Sequence, residues 1–252
     1  MKRAVFICVV FISALCTAMA AEPVEASAGT AAITSVAALR QRLAAMPRGD
    51  TGRGRQLYTQ QFCASCHGVD GRAPTVNWPS VAGQRIEYGY KLLQDYRQGL
   101  RHEGERAAVM RDAVQGLSDR DLSDLATYTA QLVPAQRSTA GRIAGTEVQN
   151  ASVEQLVRYG HPTRLLTACA SCHGARGEGG NRAQPALAGQ NPAYLVRTLL
   201  DYQSGARAND PARGMRHFAA KLSRAEIDAL AVYYAKLPGS ARPGSASAVP
   251  AH

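Results

Sequence analysis

The chain has 252 residues, enough for one large domain or two domains of ordinary size. Hydrophobic residues make up 46% and charged residues 19%, a globular balance that excludes a disordered or low-complexity chain. Aromatic residues make up only 6%, so we expect something besides side chains to fill part of each core. The formal net charge is +10, and residues 151–252 hold 12 basic and 6 acidic side chains. This excess fits either an acidic docking patch on a partner or a solvated basic surface.

Residues 1–20 have the pattern of a secretory signal peptide. Lys2 and Arg3 precede an apolar run over residues 4–16, and Ala18-Met19-Ala20 is a small-x-small cleavage signal. The run is shorter than the roughly 20 apolar residues of a transmembrane helix. We therefore expect an exported, periplasmic protein without a transmembrane segment, with an uncleaved anchor as the alternative. Export excludes nucleic acid as a partner and leaves a peripheral membrane association open.

The four cysteines beyond this segment lie in two copies of one motif. The copies are Cys63-Ala-Ser-Cys66-His67 and Cys169-Ala-Ser-Cys172-His173. An exported chain with four cysteines normally indicates disulfides, but here a histidine directly follows each pair. Cys-x-x-Cys-His is the attachment signature of c-type haem.

Helical geometry explains the spacing of the motif. Positions i, i+3 and i+4 share one face of a helix, and Cys63, Cys66 and His67 occupy these positions. The two thiols can bond the porphyrin vinyl groups while the histidine ring reaches the iron. A zinc site would place its two cysteine pairs much closer together, and a thioredoxin-like dithiol would need a βαβ pattern. The sequence therefore predicts two covalently bound haem c groups.

The sequence around the motifs repeats at an offset of 106 residues. The segment 79–84 (PSVAGQ) matches the segment 185–190 (PALAGQ), and Asp95-Tyr96 matches Asp201-Tyr202. The repeat predicts two domains with the following boundaries: residues 1–20 signal peptide, 21–47 N-terminal extension, 48–135 first domain, 136–150 linker, 151–238 second domain and 239–252 disordered tail.

Each predicted domain reads as all-helical. The extension is expected to contain one short helix near 32–46, and the segments 85–98 and 191–204 are also predicted to be helical. The last helix of each domain begins at a Ser-x-x-acid pattern, at Ser118 and at Ser223, and ends before a proline. The polar, glycine-containing stretches that precede these last helices are predicted to be loops.

Each haem iron needs a second axial ligand, and methionine is the first candidate. The chain beyond the signal segment contains Met46, Met110 and Met215. Met110 lies 43 residues after His67 and Met215 lies 42 residues after His173, so both occupy the same place in the repeat. Their duplicate placement in polar stretches predicts that they bind iron. Met46 is interpreted as a core residue.

Three histidines compete for the same role: His102, His161 and His217. His102 and His217 have no equivalent in the other repeat, and His161 lies upstream of its haem motif. His217 is the strongest competitor because it lies two residues from Met215. A second histidine would lower the reduction potential, whereas methionine raises it.

The duplicated chain resembles the class I dihaem cytochromes of the cytochrome c4 family. The likeness covers roughly residues 50–238 and rests on the paired haem motifs, the Pro-x-x-Ala-Gly-Gln segments, the methionines and the Ser-capped last helices. It implies an all-α fold of two tandem class I cytochrome c domains, each a small helical fold around one covalently bound haem. The departures are the N-terminal extension, the polar tail and the mismatch of Trp78 with Gln184.

The resemblance also implies roles for residues around each haem. The carbonyls of Pro79 and Pro185 would orient the two motif histidines through their second ring nitrogen. Four residues become candidates for contacts with the haem edges and propionates: Tyr96, Tyr202, Arg101 and Arg207. The alternative for these four is that they are ordinary helix-surface residues.

The sequence predicts an electron carrier rather than an enzyme. If both methionines bind, neither iron has an open position, and the chain shows no Ser/His/Asp set or paired carboxylates. We expect a respiratory electron carrier with a quinol-oxidising complex or a dehydrogenase as donor and a terminal oxidase or reductase as acceptor. The alternatives are a dihaem subunit of a dehydrogenase complex, of the flavocytochrome type, and a haem enzyme such as a peroxidase.

Overall fold

The computed structural model describes residues 35–135, 150–181 and 183–239. The predicted signal peptide lies outside these residues. So do nearly all of the predicted linker and tail. Within the described residues the fold is helical, and β pairing is limited to an isolated bridge between His161 and Leu166. The predicted all-α class is confirmed.

Apart from one additional helix at the start of the first half, the described helices follow one another in the same order in both halves of the chain. In the first half they are α1 (Val36–Ala44), α2 (Thr51–Gln60), α3 (Ala64–His67), α4 (Ile86–Arg97), α5 (Gly104–Val114) and α6 (Asp119–Gln131). In the second half they are α7 (Asn150–Tyr159), α8 (Ala170–His173), α9 (Pro192–Ser204), α10 (Gly214–Ala219) and α11 (Arg224–Lys236). Two short 3₁₀ turns, Pro162–Arg164 and Pro211–Arg213, complete the second half.

The last helix of each half begins at a full capping box, as predicted. The Ser118 hydroxyl accepts a hydrogen bond from the Asp121 backbone N–H, and the Asp121 carboxylate accepts one from the Ser118 N–H. Ser223 and Glu226 form the same pair in the second half. These reciprocal bonds satisfy two of the backbone donors that every helix start leaves free.

Each half has its own core, built on its last helix. In the first half α6 packs on α2 and α4, and Gly54 allows the close crossing because a Cβ there would lie 2.1 Å from the Asp124 carbonyl oxygen. In the second half α11 packs on α9 and α7. The buried residues Leu122 and Ile227 occupy corresponding places in the two cores.

The stretches predicted to be loops before the last helices are in fact helical. Met110 lies in α5 and Met215 lies in α10. Within α5 only Ala107 and Val114 are buried, so the helix lacks the wide apolar stripe that identifies a helix in sequence. The prediction was wrong because these helices turn much of their inner face toward a cavity rather than toward apolar side chains.

The extension helix α1 packs against the first domain, at the place where it meets the second domain. Leu43 and Met46 pack against the first core, as predicted for Met46. Arg42 donates to the Gln94 side chain and to the Asp95 carboxylate, at 3.2 and 2.8 Å. The helix also contacts the 3₁₀ turn Pro211–Arg213 of the second domain.

A buried polar network joins the two domains beneath α1. The Asp95 carboxylate, which is 1% exposed, pairs with the Lys91 ammonium and accepts a 2.7 Å hydrogen bond from the Asn209 side chain. Lys91 also donates to the Asn209 carbonyl oxygen at 2.8 Å. Because Asn209 belongs to the second domain, Asp95 is the anionic centre of a contact that crosses the interface.

We expect Asp95→Ala to destabilise the protein strongly. The substitution leaves the Lys91 and Arg42 cations without their buried carboxylate, and breaking such a pair costs about 3–5 kcal/mol. Urea unfolding of the haem-loaded protein measures the loss. Asp228→Ala is the control because its pair with the exposed Arg224 lies on the surface, where about 0–1 kcal/mol is expected. Equal losses in the two variants would contradict the proposed importance of the buried network.

Candidate haem-binding site

A single helical turn places the three reactive residues of each motif on one face. Cys63 already has helical backbone angles (φ −56°, ψ −35°), and the His67 N–H donates to its carbonyl at 3.0 Å. The second motif repeats this geometry at Cys169 and His173. The helical arrangement that the spacing predicts is therefore present in both motifs.

Glycine is required directly after each motif. Gly68 has φ +80° and Gly174 has φ +83°, a region that residues with a Cβ rarely adopt. A Cβ on Gly68 would also lie 2.2 Å from the Arg72 carbonyl oxygen. The chain therefore turns sharply as soon as the histidine is placed.

The histidine rings are held by two proline carbonyls. His67 Nδ1 lies 2.8 Å from the Pro79 oxygen, and His173 Nδ1 lies 3.0 Å from the Pro185 oxygen. A carbonyl can only accept a hydrogen bond, so Nδ1 carries the ring proton and Nε2 keeps its lone pair. Burial lowers the pKa of both histidines, partly offset by the proline carbonyls, which keeps the rings neutral.

The free ring nitrogen fits a metal ligand. His67 Nε2 is buried and has no hydrogen-bond partner in the described residues. A buried nitrogen lone pair without a partner is costly in a finished protein interior. Binding of a haem iron would satisfy it, because neutral imidazole with a hydrogen-bonded second nitrogen is the usual form of a metal-bound histidine.

A large cavity runs through both domains beside these rings. Its volume is about 930 Å³, near the upper end of the roughly 300–1,000 Å³ typical of small-molecule sites. Its lining includes both motif histidines and three of the four motif cysteines, Cys63, Cys169 and Cys172. The motif cysteines are free of disulfides, so their thiols are available for thioether bonds. Haems bound in this cavity would supply the core volume that so few aromatic residues leave unfilled.

Both predicted methionine ligands line this cavity. Met110 reaches it from α5 and Met215 reaches it from α10. The competing histidines are elsewhere in the described residues: His102 and His217 are exposed, and His161 lies 3.0 Å from the Thr163 hydroxyl. His217 Nε2 also lies 2.8 Å from the Lys221 ammonium nitrogen. The structure thus places the two methionines, and not these three histidines, at the cavity.

The predicted arginine and tyrosine pairs are buried rather than on the surface. The Arg101 guanidinium lies 4.6 Å from the Tyr96 ring centre, and Arg207 lies 4.6 Å from the Tyr202 ring centre. Arg101 is 5% exposed and Arg207 is 1% exposed, and all four residues line the cavity. Their burial contradicts the helix-surface alternative. Arg207 also donates to the Tyr88 hydroxyl of the first domain at 3.2 Å.

The electrostatic potential around Arg101 and Arg207 favours the binding of anions. Burial alone would raise the pKa of Tyr194, but Arg207 and Arg101 lower it to about 8. Glu103 pairs with Arg101, with 2.6 Å between the Arg101 Nε and the carboxylate, yet Arg101 Nη1 is buried and has no hydrogen-bond partner in the part of the chain that the structure describes. Haem propionates are carboxylates, so their negative charge complements the arginines and their oxygens can accept the hydrogen bonds that the guanidinium groups donate.

Several cavity residues were missed from sequence. They include Tyr88, Gln84, Glu103, Tyr194 and Gln190, which all line the cavity. A signal was available for four of them because Tyr88 and Tyr194, like Gln84 and Gln190, repeat at the offset of the haem motifs. Glu103 had no such signal, since the second domain has Asn209 at the corresponding position.

Comparison with known proteins decides the family. The family profile described as Cytochrome c matches residues 52–132 and 163–238. Cytochrome c4 of Stutzerimonas stutzeri is 36% identical over 178 residues, covering 68% of this chain and 82% of the relative. This chain belongs to the cytochrome c4 family.

Two further proteins are similar to this cytochrome. The crystal structure of reduced recombinant cytochrome c4 from Pseudomonas stutzeri superposes with a TM-score of 0.66 at 33% identity, covering 75% of this chain and 99% of that chain. A protein described as thiosulfate dehydrogenase electron acceptor, from Stutzerimonas stutzeri (strain A1501), is 32% identical over 192 residues. That match covers 73% of this chain and 86% of the relative.

Family membership confirms the predicted fold, cofactors and activity class. The protein is a dihaem c-type cytochrome with two cytochrome c domains, and it carries electrons between redox partners. None of the helices described between residues 35 and 239 has the length and apolar character needed to span a bilayer.

We expect Cys63→Ala combined with Cys66→Ala to yield a protein with one covalent haem. Removing both thiols of one motif eliminates both thioether bonds at that site and leaves the second motif intact. Mass spectrometry of the denatured chain counts the attached haems. Ser65→Ala, in the same helical turn, is the control and should retain two haems. Two covalent haems in the double variant would disprove the attachment assignment.

Proposed function

We propose that this cytochrome is a periplasmic carrier whose two irons are closed by protein ligands. His67 and Met110 bind the first iron, and His173 and Met215 bind the second. The observation that carries this proposal is that each histidine and its methionine line the same cavity, with the histidine ring oriented by a proline carbonyl. The signal-peptide pattern over residues 1–20 supports export.

The chain's own residues prepare each site for rapid electron exchange. The haem supplies the ferric/ferrous couple when bound. The thioether of methionine is a neutral ligand that favours the reduced iron and raises the reduction potential. Pro79 and Pro185 hold the ring orientation, so the ligands need little rearrangement when the iron changes charge. An iron without an open position also resists binding small molecules that would divert electrons.

Charge supports a docking partner with an acidic surface. Residues 151–252 hold twice as many basic as acidic side chains. Complementary charge raises the rate at which redox proteins meet, and this effect falls with added salt. We propose a quinol-oxidising complex or a dehydrogenase as the electron donor and a terminal oxidase or reductase as the acceptor.

A second candidate is a dihaem subunit held within a dehydrogenase complex. The similarity to a protein described as thiosulfate dehydrogenase electron acceptor favours it. Purification of the native protein distinguishes the two. A subunit co-purifies with a partner in fixed stoichiometry, whereas a carrier is recovered alone and exchanges freely between partners.

We expect the dithionite-reduced protein to bind no carbon monoxide at either haem. Both irons have two protein ligands in our proposal, so neither offers a coordination position to an external ligand. The absorption spectrum before and after addition of carbon monoxide measures this. A shift of the Soret band in the native protein would show that one methionine assignment is incorrect.

We expect Met110→Ala and Met215→Ala each to open one haem to carbon monoxide and to lower its reduction potential. Both covalent haems should remain, because the motif cysteines are unchanged. Spectropotentiometric titration and carbon monoxide binding measure the two effects. Met46→Ala is the matched control, since Met46 packs against the first core and does not belong to the cavity lining. An unchanged spectrum in Met110→Ala would mean that another residue binds the first iron.

A further inference from the structure

Two glutamine side chains cross the domain interface in a reciprocal arrangement. Gln84 of the first domain donates from Nε2 to the Ala186 carbonyl at 3.1 Å, and its Oε1 accepts from the Ala186 N–H at 2.8 Å. Gln190 of the second domain donates to the Ser80 carbonyl at 2.9 Å and accepts from the Ser80 N–H at 2.9 Å. Each glutamine thus makes a two-bond contact with the backbone of one residue in the other domain.

The residues that the glutamines hold follow the two histidine-binding prolines. Ser80 comes directly after Pro79, and Ala186 comes directly after Pro185. The Pro79 carbonyl lies in the peptide whose N–H belongs to Ser80, so one rigid peptide unit contacts both His67 and Gln190. In the second domain the peptide of Pro185 and Ala186 contacts both His173 and Gln84.

This shared peptide links the position of each ring to the other domain. A peptide unit is planar, so tilting its N–H also moves its carbonyl. Removing the glutamine therefore frees the peptide to rotate, which changes the hydrogen bond to the histidine Nδ1. Such a hydrogen bond sets the ring orientation and the basicity of the metal-binding nitrogen.

We propose that Gln84 and Gln190 are positioning residues, each of which fixes the orientation of the histidine ring in the opposite domain. This inference rests on the proposed binding of iron by His67 and His173. Each domain then supplies the glutamine that holds the iron-binding histidine of the other domain in its orientation. A single domain would have both axial ligands but a loosely held proline peptide.

Further hydrogen bonds reinforce the contact at Ser80. The segment before Pro79 receives further hydrogen bonds from the second domain: the Asn191 side chain donates to the Thr75 and Trp78 carbonyls, and Arg197 donates to the carbonyls of residues 76 and 77. These bonds hold the first-domain segment even when Gln190 is replaced. We therefore expect replacement of Gln190 to have a limited effect at His67, and the effect of replacing Gln84 is expected at His173.

The substitution Gln84→Met tests the proposal in the full-length haem-loaded protein. Methionine keeps the length and volume of the side chain and removes both hydrogen bonds to Ala186. Nitrogen-15 labelling of histidine in the reduced protein allows the ring Nδ1–H signals of His67 and His173 to be followed separately by NMR. We expect the His173 signal to shift and its proton to exchange faster with solvent, while the His67 signal stays in place. Gln190→Met should affect His67 instead, to an extent limited by the hydrogen bonds from Asn191 and Arg197.

Gln203→Met is the matched control. Gln203 donates two hydrogen bonds to backbone carbonyls, those of Ala219 and Leu222, but both lie in its own domain. Its replacement should leave both ring signals, those of His67 and His173, unchanged. The proposal is overturned if Gln84→Met shifts only the His67 signal or neither signal. Absence of protected Nδ1–H signals in the unmodified protein would instead count against the proposed histidine ligands themselves.

The reduction potentials of the two haems give a second, independent readout. The Gln84→Met variant should retain its two covalent haems and its methionine ligands, and the visible spectrum checks this. Spectropotentiometric titration should then show one of the two haem potentials displaced and the other unchanged. If both potentials equal those of the unmodified protein while the fold is intact, the glutamine serves only to hold the domains together, and the positioning role is refuted.

Discussion

The hydrogen bond from each histidine ring to a proline carbonyl is the interaction on which the rest of this structure depends. It keeps the ring proton on Nδ1 in both motifs, and Nε2 of the buried His67 ring, which has no hydrogen-bond partner among the described residues, is available for the proposed iron. It also connects the motif turn to a segment 12 residues further along the chain that has no regular structure. That same segment also contacts the other domain through Gln84 and Gln190. The hydrogen bond between histidine and proline therefore links haem binding to the packing of the two domains.

Duplication has produced two sites of the same construction but different electrostatics. Arg101 has a carboxylate partner in Glu103, whereas Arg207 donates at the corresponding position to the neutral side chain of Asn209. The extension helix α1 packs against the first domain, where Arg42 adds a cation to the network around Asp95. The formal charge of Glu103 therefore has no counterpart at the matching position of the second domain. The two sites are therefore related by sequence without being equivalent in environment.

The parts predicted well are those in which local chemistry dominates. A helical turn alone brings the cysteines and histidine of each motif together, and a capping box alone begins each last helix, at Ser118 and Ser223. Helices α5 and α10 were predicted as loops because the surface they pack against includes the cavity wall, which leaves no apolar stripe in their sequence. The burial of Arg101 and Arg207 could not be predicted from the sequence either. An arginine stacked on tyrosine in a cavity has the same sequence pattern around it as an arginine on the surface.

The sequence by itself determined the number of haems and the two-domain helical class, and it supplied the candidate attachment residues and methionine ligands, because covalent chemistry and duplication leave direct marks on spacing. Only the tertiary structure decided which side chains cross between domains. Gln84, Gln190, Lys91 and Asn209 meet partners more than a hundred residues away in the chain. Such contacts depend on how the two halves pack, and no local spacing encodes that geometry. The coupling of each histidine to the opposite domain is therefore visible only in the folded molecule.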